Sequence, residues 1–272
     1  MDPEKIERLV RLARSCSITV LVDNLRVARA TSEAARRHGI KQGVMVEIDI
    51  RDERCGTRPG KPTVEFVKEL AKLEGLELRG LMGYEGPFFE ILEFEKRRTA
   101  ARELLLVLKE TMEMVESAGV DVRDVSAGST GTYNITGEYS KITEIEAGSY
   151  VFMDSTYRKL AELGFSCALI VLATVISRPV PERVVVNTGW KCATQELGMP
   201  VVRDVEDAEV HHLAEEHGLI RANPESKIDV GDKLELIPSH CCTTVNLHDQ
   251  YYGIRNYVLE VVWPVSARGK SE

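Results

Sequence analysis

The residues best suited to chemistry lie near the end of the chain, in the stretch IPSHCCTTVNLHDQ at positions 237–250. One residue separates His240 from Cys242, and alternate side chains of an extended segment point to the same side. An imidazole nitrogen and a thiolate sulfur are both zinc ligands, but a structural zinc site needs four ligands. The pair therefore indicates either an open metal site completed by water and substrate, or a histidine beside buried thiols. Cys241 is expected to point to the opposite face.

The spacing of the cysteines does not indicate a disulfide framework. The six cysteines are dispersed through 272 residues, a length that does not depend on disulfides. The adjacent pair Cys241 and Cys242 would need a strained ring to close on itself. The N-terminus MDPEKIERLVRLARS is charged and amphipathic, without the apolar centre of a signal peptide, and no run approaches the roughly 18 apolar residues of a membrane span. We predict a cytoplasmic protein with free thiols.

Composition points to a small-molecule partner. The chain is 43% hydrophobic and 29% charged, which is typical of a globular protein. Its net charge of -8 is spread without a basic stripe. Nucleic acid and anionic membranes are therefore excluded as expected main partners.

Two glycine-rich segments could hold an anion: the first lies at the end of a predicted strand, and the second lies in or beside the next predicted strand. The segment SAGSTGTYN at 126–134 contains Ser129 and Thr130, and EAGSYVFMD contains Gly148 and Ser149. Backbone N–H groups and hydroxyls in such loops bind phosphate. The alternative interpretations are a surface turn rich in small residues for the first segment and an ordinary strand start for the second. In a (β/α) barrel, loops after the last two strands commonly form one phosphate site.

Three further candidates each have two interpretations. Arg54 follows an acid-rich strand and could fix a ligand oxyanion or form a solvated ion pair. Tyr84 ends the strand in GLMGYEG and could stack on a planar ligand or fill the barrel mouth. The histidines and glutamates of HHLAEEHG at 211–218 could ligate metal, but a solvated helix face is the favoured interpretation.

The first half of the chain alternates between β-branched runs and helical periods, which predicts parallel strands joined by crossover helices. The predicted strands are 18–24, 43–50, 76–86, 122–130 and 144–153, and the predicted helices are 25–39, 61–75 and 89–118. The polar residues lie at the carboxyl ends of these strands, where (β/α) barrels place their sites.

After about residue 154 the pattern changes to short strands separated by glycine, proline and charged turns. The predicted strands here are 167–179, 183–189, 232–240 and 257–268, with one short helix around 205–218. We therefore predict two closely packed domains, 1–154 and 155–272. The first is a partial (β/α)8 barrel and the second is mostly antiparallel β.

Taken in order, seven segments resemble the D-threonine aldolase and D-serine dehydratase-like family, over essentially the whole chain. They are VEIDIRDERCGTRPG, GLMGYEG, SAGSTGTY, GSYVFMD, LAEEHG, IPSHCCTTVNLHD and WPVSARG. The resemblance implies a barrel of alanine racemase type, a β domain, pyridoxal 5'-phosphate as cofactor and a homodimer.

The family's residue roles can be placed on matching positions. By this resemblance Arg54 faces the cofactor's phenolic oxygen and Tyr84 lies at its pyridine ring. The phosphate would be held by Ser129, Thr130, Gly148 and Ser149. His240 and Cys242 would bind a divalent metal, zinc or manganese; the second ligand is cysteine in dehydratase-like members and often aspartate in aldolases. The implied activity is a metal-assisted lyase reaction on a D-β-hydroxy amino acid.

Two departures from the family pattern qualify this expectation. The motif that contains the family's Schiff-base lysine does not occur, so we expect an N-terminal part to be missing and the chain to be inactive unless another polypeptide supplies it. Five strands do not close an eight-stranded barrel. After GYEG the run is Pro87, Phe88, Phe89 and Glu90, where aldolase-like members often have a histidine. The catalytic base stays unassigned, and an alanine-type racemase or a non-catalytic cofactor-binding remnant are the alternatives.

Overall fold

The computed structural model describes residues 2–51, 53–86 and 88–271. The chain divides into two compact units after Gly148, whereas the sequence pattern predicts a boundary after residue 154. Each unit has its own core of buried apolar residues.

The first unit is built on five parallel strands. They are β1 (Thr19–Val22), β2 (Gln42–Glu47), β3 (Leu76–Gly83), β4 (Asp124–Ala127) and β5 (Glu144–Ile145). Their order in the sheet is the order in the chain, and every neighbouring pair is parallel. The predicted series of parallel strands with crossover helices is confirmed.

One helix precedes β1, and the others connect the strands. They are α1 (Pro3–Leu12), α2 (Leu25–Arg37), α3 (Lys61–Leu70), α4 (Phe94–Ser117) and α5 (Tyr133–Thr136). The start of α2 is fixed by Asn24, whose side chain accepts hydrogen bonds from the backbone N–H groups of Arg26 and Val27. Gly39 follows the end of α2 with a φ of +66°, a conformation that glycine adopts at no steric cost.

The core of the first unit lies between the sheet and its helices. Strand β2 is almost entirely buried, because a parallel strand covered on both faces has no side in contact with water. Val44, Val46 and Leu81 of the sheet pack with Leu105 and Leu108 of α4. Even α4, with 24 residues, does not combine the length and apolar character that membrane crossing requires, and neither does any other described helix.

The fifth strand is shorter than predicted. Pairing with β4 covers Glu144 and Ile145, and the chain turns into a 3-10 helix at Ser149–Val151. The backbone N–H of Met153 donates to the carbonyl of Ser149 over 2.7 Å, and Met153 has a φ of +53°. The predicted strand over 144–153 is therefore wrong beyond its first residues, because local hydrogen bonds replace the sheet ladder.

The second unit is a closed antiparallel barrel followed by a hairpin. The barrel strands are β6 (Val171–Val180), β7 (Arg183–Val186), β8 (Val201–Val202), β9 (Ala208–Leu213), β10 (Gly218–Ala222) and β11 (Lys233–Ile237), in the order β10-β7-β6-β11-β8-β9. The hairpin consists of β12 (Gln250–Arg255) and β13 (Val258–Pro264), and the short helix α6 (Cys241–Val245) precedes it. A second 3-10 helix lies at Tyr157–Lys159.

The helix predicted around 205–218 is wrong. This segment contains β9, a turn and the start of β10. Ala208, Val210 and Leu213 are buried, so the apolar positions follow the strand period through the barrel wall. Glu215 and Glu216 lie in the exposed turn, where both carboxylates pair with Lys191.

Candidate functional site

His240 and the two adjacent cysteines form a cluster of possible metal ligands in the second unit. His240 follows β11 in an extended conformation, and α6 begins at the next residue. One ligand atom each from His240, Cys241 and Cys242 lies within 4.8 Å of the other two. The Ser149 hydroxyl lies 4.0 Å from the sulfur of Cys242. The structure thus brings the two predicted metal ligands together.

The expected orientation of Cys241 is wrong. An extended segment would direct its thiol away from His240 and Cys242, but the helix that starts at Cys241 replaces the strand period. The buried thiol of Cys241 therefore lies on the same side as its neighbours.

Asp154 lies behind His240 and was missed by the sequence analysis. Its carboxylate is fully buried, and its Oδ2 lies 3.0 Å from Nδ1 of His240 and 3.1 Å from the backbone N of Cys241. Its Oδ1 accepts hydrogen bonds from the backbone N–H groups of Thr156 and Tyr157. An aspartate that bonds the N–H groups two and three residues later is a common turn signal, and DSTY at 154–157 carries it.

These contacts set the charges of the cluster. The hydrogen bond with Asp154, and then that with Cys242, raises the pKa of His240 to about 10. Hydrogen bonds with Cys241 and His240 lower the pKa of Cys242 to about 4. The hydrogen bond with Cys242, together with burial, raises the pKa of Cys241 because a second thiolate is disfavoured. Burial would raise the pKa of Asp154, but hydrogen bonds from His240, Tyr157 and Cys241 outweigh it, and this pKa is lowered.

The donor set fits a divalent metal. A thiolate at Cys242 is the form that binds metal. The contact between Nδ1 of His240 and a buried carboxylate leaves Nε2 as the nitrogen that a metal could bind, and most metal-bound histidines have a partner of this kind. His240 and Cys242 are both partly accessible, so the cluster has the open character of a substrate-binding metal site.

In the first unit, the structure places Arg54 and Tyr84 side by side after β2 and β3. The guanidinium carbon of Arg54 lies 5.3 Å from the centre of the Tyr84 ring. Arg54 also pairs with Glu47 at the end of β2, where Nη2 and Oε1 are 3.4 Å apart. An exposed guanidinium beside a half-buried aromatic ring suits a planar ligand with an anionic oxygen.

The loop 128–132 is held by Glu85, a second residue that the sequence analysis missed. Glu85 is fully buried and accepts hydrogen bonds from the backbone N–H of Gly128 over 2.9 Å and from the hydroxyls of Thr132 and Thr136, each over 2.6 Å. Gly128 has a φ of +91°, which allows the sharp turn out of β4. The loop therefore has a fixed shape before any ligand binds.

The predicted phosphate residues have different surroundings. Ser129 is buried, and its hydroxyl accepts from the N–H of Gly131 and contacts the hydroxyl of Thr132. Thr130 is also buried. Gly148 is exposed, and a Cβ added there would meet nothing within 4 Å, so the backbone borders open space. Ser149 begins the second unit and is half-buried. Their role in phosphate binding stays a prediction.

Arg54 and Tyr84 suit the ring of pyridoxal phosphate, but the loops that follow the five strands do not offer an amine for its aldehyde. Arg54 and Tyr84 supply the cation and the aromatic face described above. The segments that follow the five strands, 23–24, 48–60, 84–93, 128–132 and 146–148, contain no lysine. The covalent attachment therefore does not come from these loops.

The run that follows GYEG and the segment 211–217 were also named in the sequence, and the structure shows their surroundings. Pro87 lies outside the described residues, while Phe88 is buried beneath the guanidinium of Arg51, which also pairs with Glu90 over 2.7 Å. In the part of the chain that the structure describes, the residues of 211–217 do not bring three ligand atoms together. Their alternative interpretation as a metal site therefore has no structural support.

Comparison with known proteins covers both units. The family model of the alanine racemase N-terminal domain matches residues 1–156, and the family model described as "Putative serine dehydratase domain" matches residues 168–254. The chain is 34% identical to 3-hydroxy-D-aspartate aldolase of Paracoccus denitrificans (strain Pd 1222), over 99% of this chain and 72% of that protein. It is 33% identical to D-threonine aldolase of an Arthrobacter species, over 100% of this chain and 73% of that protein.

Among solved structures, D-threonine aldolase from Filomicrobium marinum superposes with a TM-score of 0.96 at 32% identity, covering 100% of this chain and 76% of that one. The predicted partial (β/α)8 barrel of alanine racemase type, followed by a mostly antiparallel β domain, is confirmed. The chain belongs to the D-threonine aldolase and D-serine dehydratase-like family of pyridoxal-phosphate-dependent lyases.

Proposed function

We propose that this protein is a metal-assisted, pyridoxal-phosphate-dependent lyase that cleaves D-β-hydroxy amino acids. The observation that carries the proposal is the pair His240 and Cys242, which lie together with Asp154 buried behind the imidazole. A racemase exchanges a proton at Cα and has no use for a metal ligand set. The pair therefore favours a reaction in which the β-hydroxyl needs a Lewis acid.

The chain's own residues would bind and orient the reacting groups. When bound, pyridoxal phosphate supplies an electron sink for the electron pair left at Cα, and a divalent metal supplies a Lewis acid for the β-hydroxyl. Arg54 would hold the cofactor's phenolic oxygen, and Tyr84 would lie at its ring. Nε2 of His240 and the thiolate of Cys242 would hold the metal.

The phosphate would be bound by the four small residues of the two glycine-rich segments. Two of them, Ser129 and Thr130, lie in the loop whose shape Glu85 fixes. A phosphate bound there gains from a loop that does not have to become ordered, because the ordering entropy has already been lost on folding. The other two are Gly148 and Ser149.

We further propose aldol cleavage as the reaction. The two curated relatives described above, at 34% and 33% identity, are both aldolases. With D-threonine, the Cα–Cβ bond breaks, the β-hydroxyl loses its proton, and Cα gains a proton, so that glycine and acetaldehyde are formed. Cys242 is the ligand type of dehydratase-like members, which would instead release pyruvate and ammonia from D-serine. A thiolate ligand favours zinc over manganese.

The products distinguish these reactions. The protein, purified together with the polypeptide segment that supplies the Schiff-base lysine and given pyridoxal phosphate and either Zn²⁺ or Mn²⁺, is incubated separately with D-threonine and D-serine. We expect an aldehyde and glycine from D-threonine, loss of turnover with a chelator, and loss of turnover in His240→Ala. The control is His212→Ala, which removes an exposed imidazole from β9 and should leave turnover unchanged. Release of ammonia without aldehyde would make the protein a dehydratase, and neither product would overturn the proposal.

A further inference from the structure

Asp154 has the contacts expected of a residue that orients a metal ligand. Its carboxylate is completely buried and faces four donors, two at each oxygen. Oδ2 lies 3.0 Å from Nδ1 of His240 and accepts the backbone N–H of Cys241 over 3.1 Å. One oxygen atom thus contacts both the imidazole of His240 and the first residue of the helix that carries Cys242.

The direction of the hydrogen bond decides which imidazole nitrogen can bind metal. A carboxylate oxygen is an acceptor, so the proton of this contact belongs to Nδ1 of His240. A neutral imidazole that has its proton on Nδ1 has its lone pair on Nε2. With the opposite tautomer, Nε2 would carry a proton and could not be a ligand.

We propose that Asp154 is a positioning residue of the metal centre, which fixes His240 with Nε2 toward the metal and fixes the start of the helix that carries Cys242. The inference rests on the proposed metal-assisted function and names a residue that acts through His240. Asp154 does not itself ligate the metal.

The substitution Asp154→Asn tests this role without a change of size. The carboxamide has one acceptor oxygen in place of two, so two of the four donors lose their acceptor. If its NH₂ group faces His240, it donates to Nδ1 and moves the imidazole proton to Nε2. We expect the dissociation constant for Zn²⁺, measured by competition with a chromophoric chelator, to rise about 10- to 100-fold, the range typical of such outer partners.

Thr156→Val is the matched control. The hydroxyl of Thr156 is buried and donates to the carbonyl of Ser239 over 2.8 Å. It therefore ties together the same two segments as Asp154 but does not contact His240. We expect Thr156→Val to leave the dissociation constant for Zn²⁺ unchanged. Equal weakening in both variants would mean that Asp154 merely holds the segments together, and would overturn the proposal.

A spectroscopic measurement on the zinc-loaded wild type does not depend on any variant at Asp154. Long-range ¹H–¹⁵N NMR, with the His240 signals assigned by their loss in His240→Ala, should show a proton on Nδ1 and none on Nε2. A proton on Nε2, or an unchanged dissociation constant in folded Asp154→Asn, would overturn the inference. Normal zinc binding without lyase turnover would overturn the proposed function alone, and a wild type without zinc affinity would overturn both.

Discussion

Substituting Glu85 by alanine should destabilise the first unit more than most single changes. The side chain is fully buried at the carboxyl end of β3 and accepts hydrogen bonds from Gly128, Thr132 and Thr136. Alanine removes the acceptor for all three donors at once. Water does not reach these groups in the folded protein, so they stay unpaired or require the loop 128–132 to open.

The size of the effect follows from the three contacts. A buried donor left without an acceptor costs about 1–3 kcal/mol. The hydroxyls of Thr132 and Thr136 can rotate toward other acceptors, whereas the backbone N–H of Gly128 cannot. Removing a buried carboxylate also relieves its desolvation cost, which offsets part of the loss. We therefore expect a net destabilisation of about 3–5 kcal/mol, which is near the low end of the range obtained by adding the costs of the three unpaired donors.

Glu85→Gln should cost less. The amide oxygen can accept the N–H of Gly128 while the NH₂ group donates to the two threonine hydroxyls, so each group keeps a partner. The loss is then limited to the difference between charged and neutral hydrogen bonds, about 1–2 kcal/mol in total. Glu85→Gln reports the change in acceptors at an unchanged side-chain volume, whereas Glu85→Ala removes both the acceptors and the volume.

Urea unfolding can follow the two units separately. Helices α1 to α4 lie in the first unit and dominate the far-ultraviolet circular dichroism, whereas both tryptophans, Trp190 and Trp263, lie in the second unit. With a slope of about 2 kcal/mol per molar urea, Glu85→Ala should move the circular dichroism midpoint down by about 2 M. The exposed Glu103→Ala on α4 is the control and should change stability by less than about 0.5 kcal/mol. A midpoint shift for Glu85→Ala no larger than that of Glu103→Ala would refute the reasoning.

Three further predictions concern other parts of the structure. Burial raises the pKa of Glu146 in the folded protein above its unfolded value. The contribution of Glu146 to stability therefore falls as the pH rises from the unfolded pKa through the folded pKa. In urea titrations, Glu146→Gln should stabilise the protein at pH 7 but not at pH 4. Gly80→Ala would place a Cβ 1.7 Å from the carbonyl oxygen of Asp124 on the neighbouring strand and should abolish folding of the first unit by circular dichroism, whereas Gly148→Ala, with nothing within 4 Å, should fold normally. Zn²⁺ at about 100 times its dissociation constant should raise the free energy of unfolding of the second unit, followed by tryptophan fluorescence, by about 2.7 kcal/mol. Cys242→Ala should lose this effect. An equal zinc effect in the variant would contradict the assigned ligands.

The elements that sequence predicted well are those whose pattern has one physical origin. The centre of strand β2, Val44 to Val46, is apolar and buried because both faces of a parallel sheet are covered. Helix α2 combines a capping Asn24 with a glycine after its last turn. In both cases the local signal and the final environment agree, so no tertiary information is needed.

The helix prediction for 205–218 was wrong because the local signal and the final environment disagree there. Alanine, glutamate and leucine favour helices, but Ala208, Val210 and Leu213 are buried because β9 closes the barrel with β8 and β10. The choice between helix and strand is made by partners that are remote in sequence. Propensity alone cannot supply that information.

The two missed carboxylates show the same limit at the candidate sites. Asp154 lies 86 positions before His240, and Glu85 lies 47 positions before Thr132. The sequence identified the residues that could contact a ligand because their types are chemically distinctive. It did not identify the residues that hold them, since an isolated aspartate or glutamate is usually a surface residue.

Asp154 and Glu85 have the same structural role in their separate units, since each holds a short polar segment in place. Each candidate site is carried by a short segment rich in small or polar residues, which has little apolar surface with which to anchor itself. A buried carboxylate accepts several backbone N–H and side-chain hydrogen bonds at once, so it can hold such a segment without filling the space beside it. The free-energy cost of burying these two carboxylates is offset by the hydrogen bonds that they accept. Loss of either acid should therefore alter ligand affinity through segment geometry, even though neither acid needs to contact the ligand.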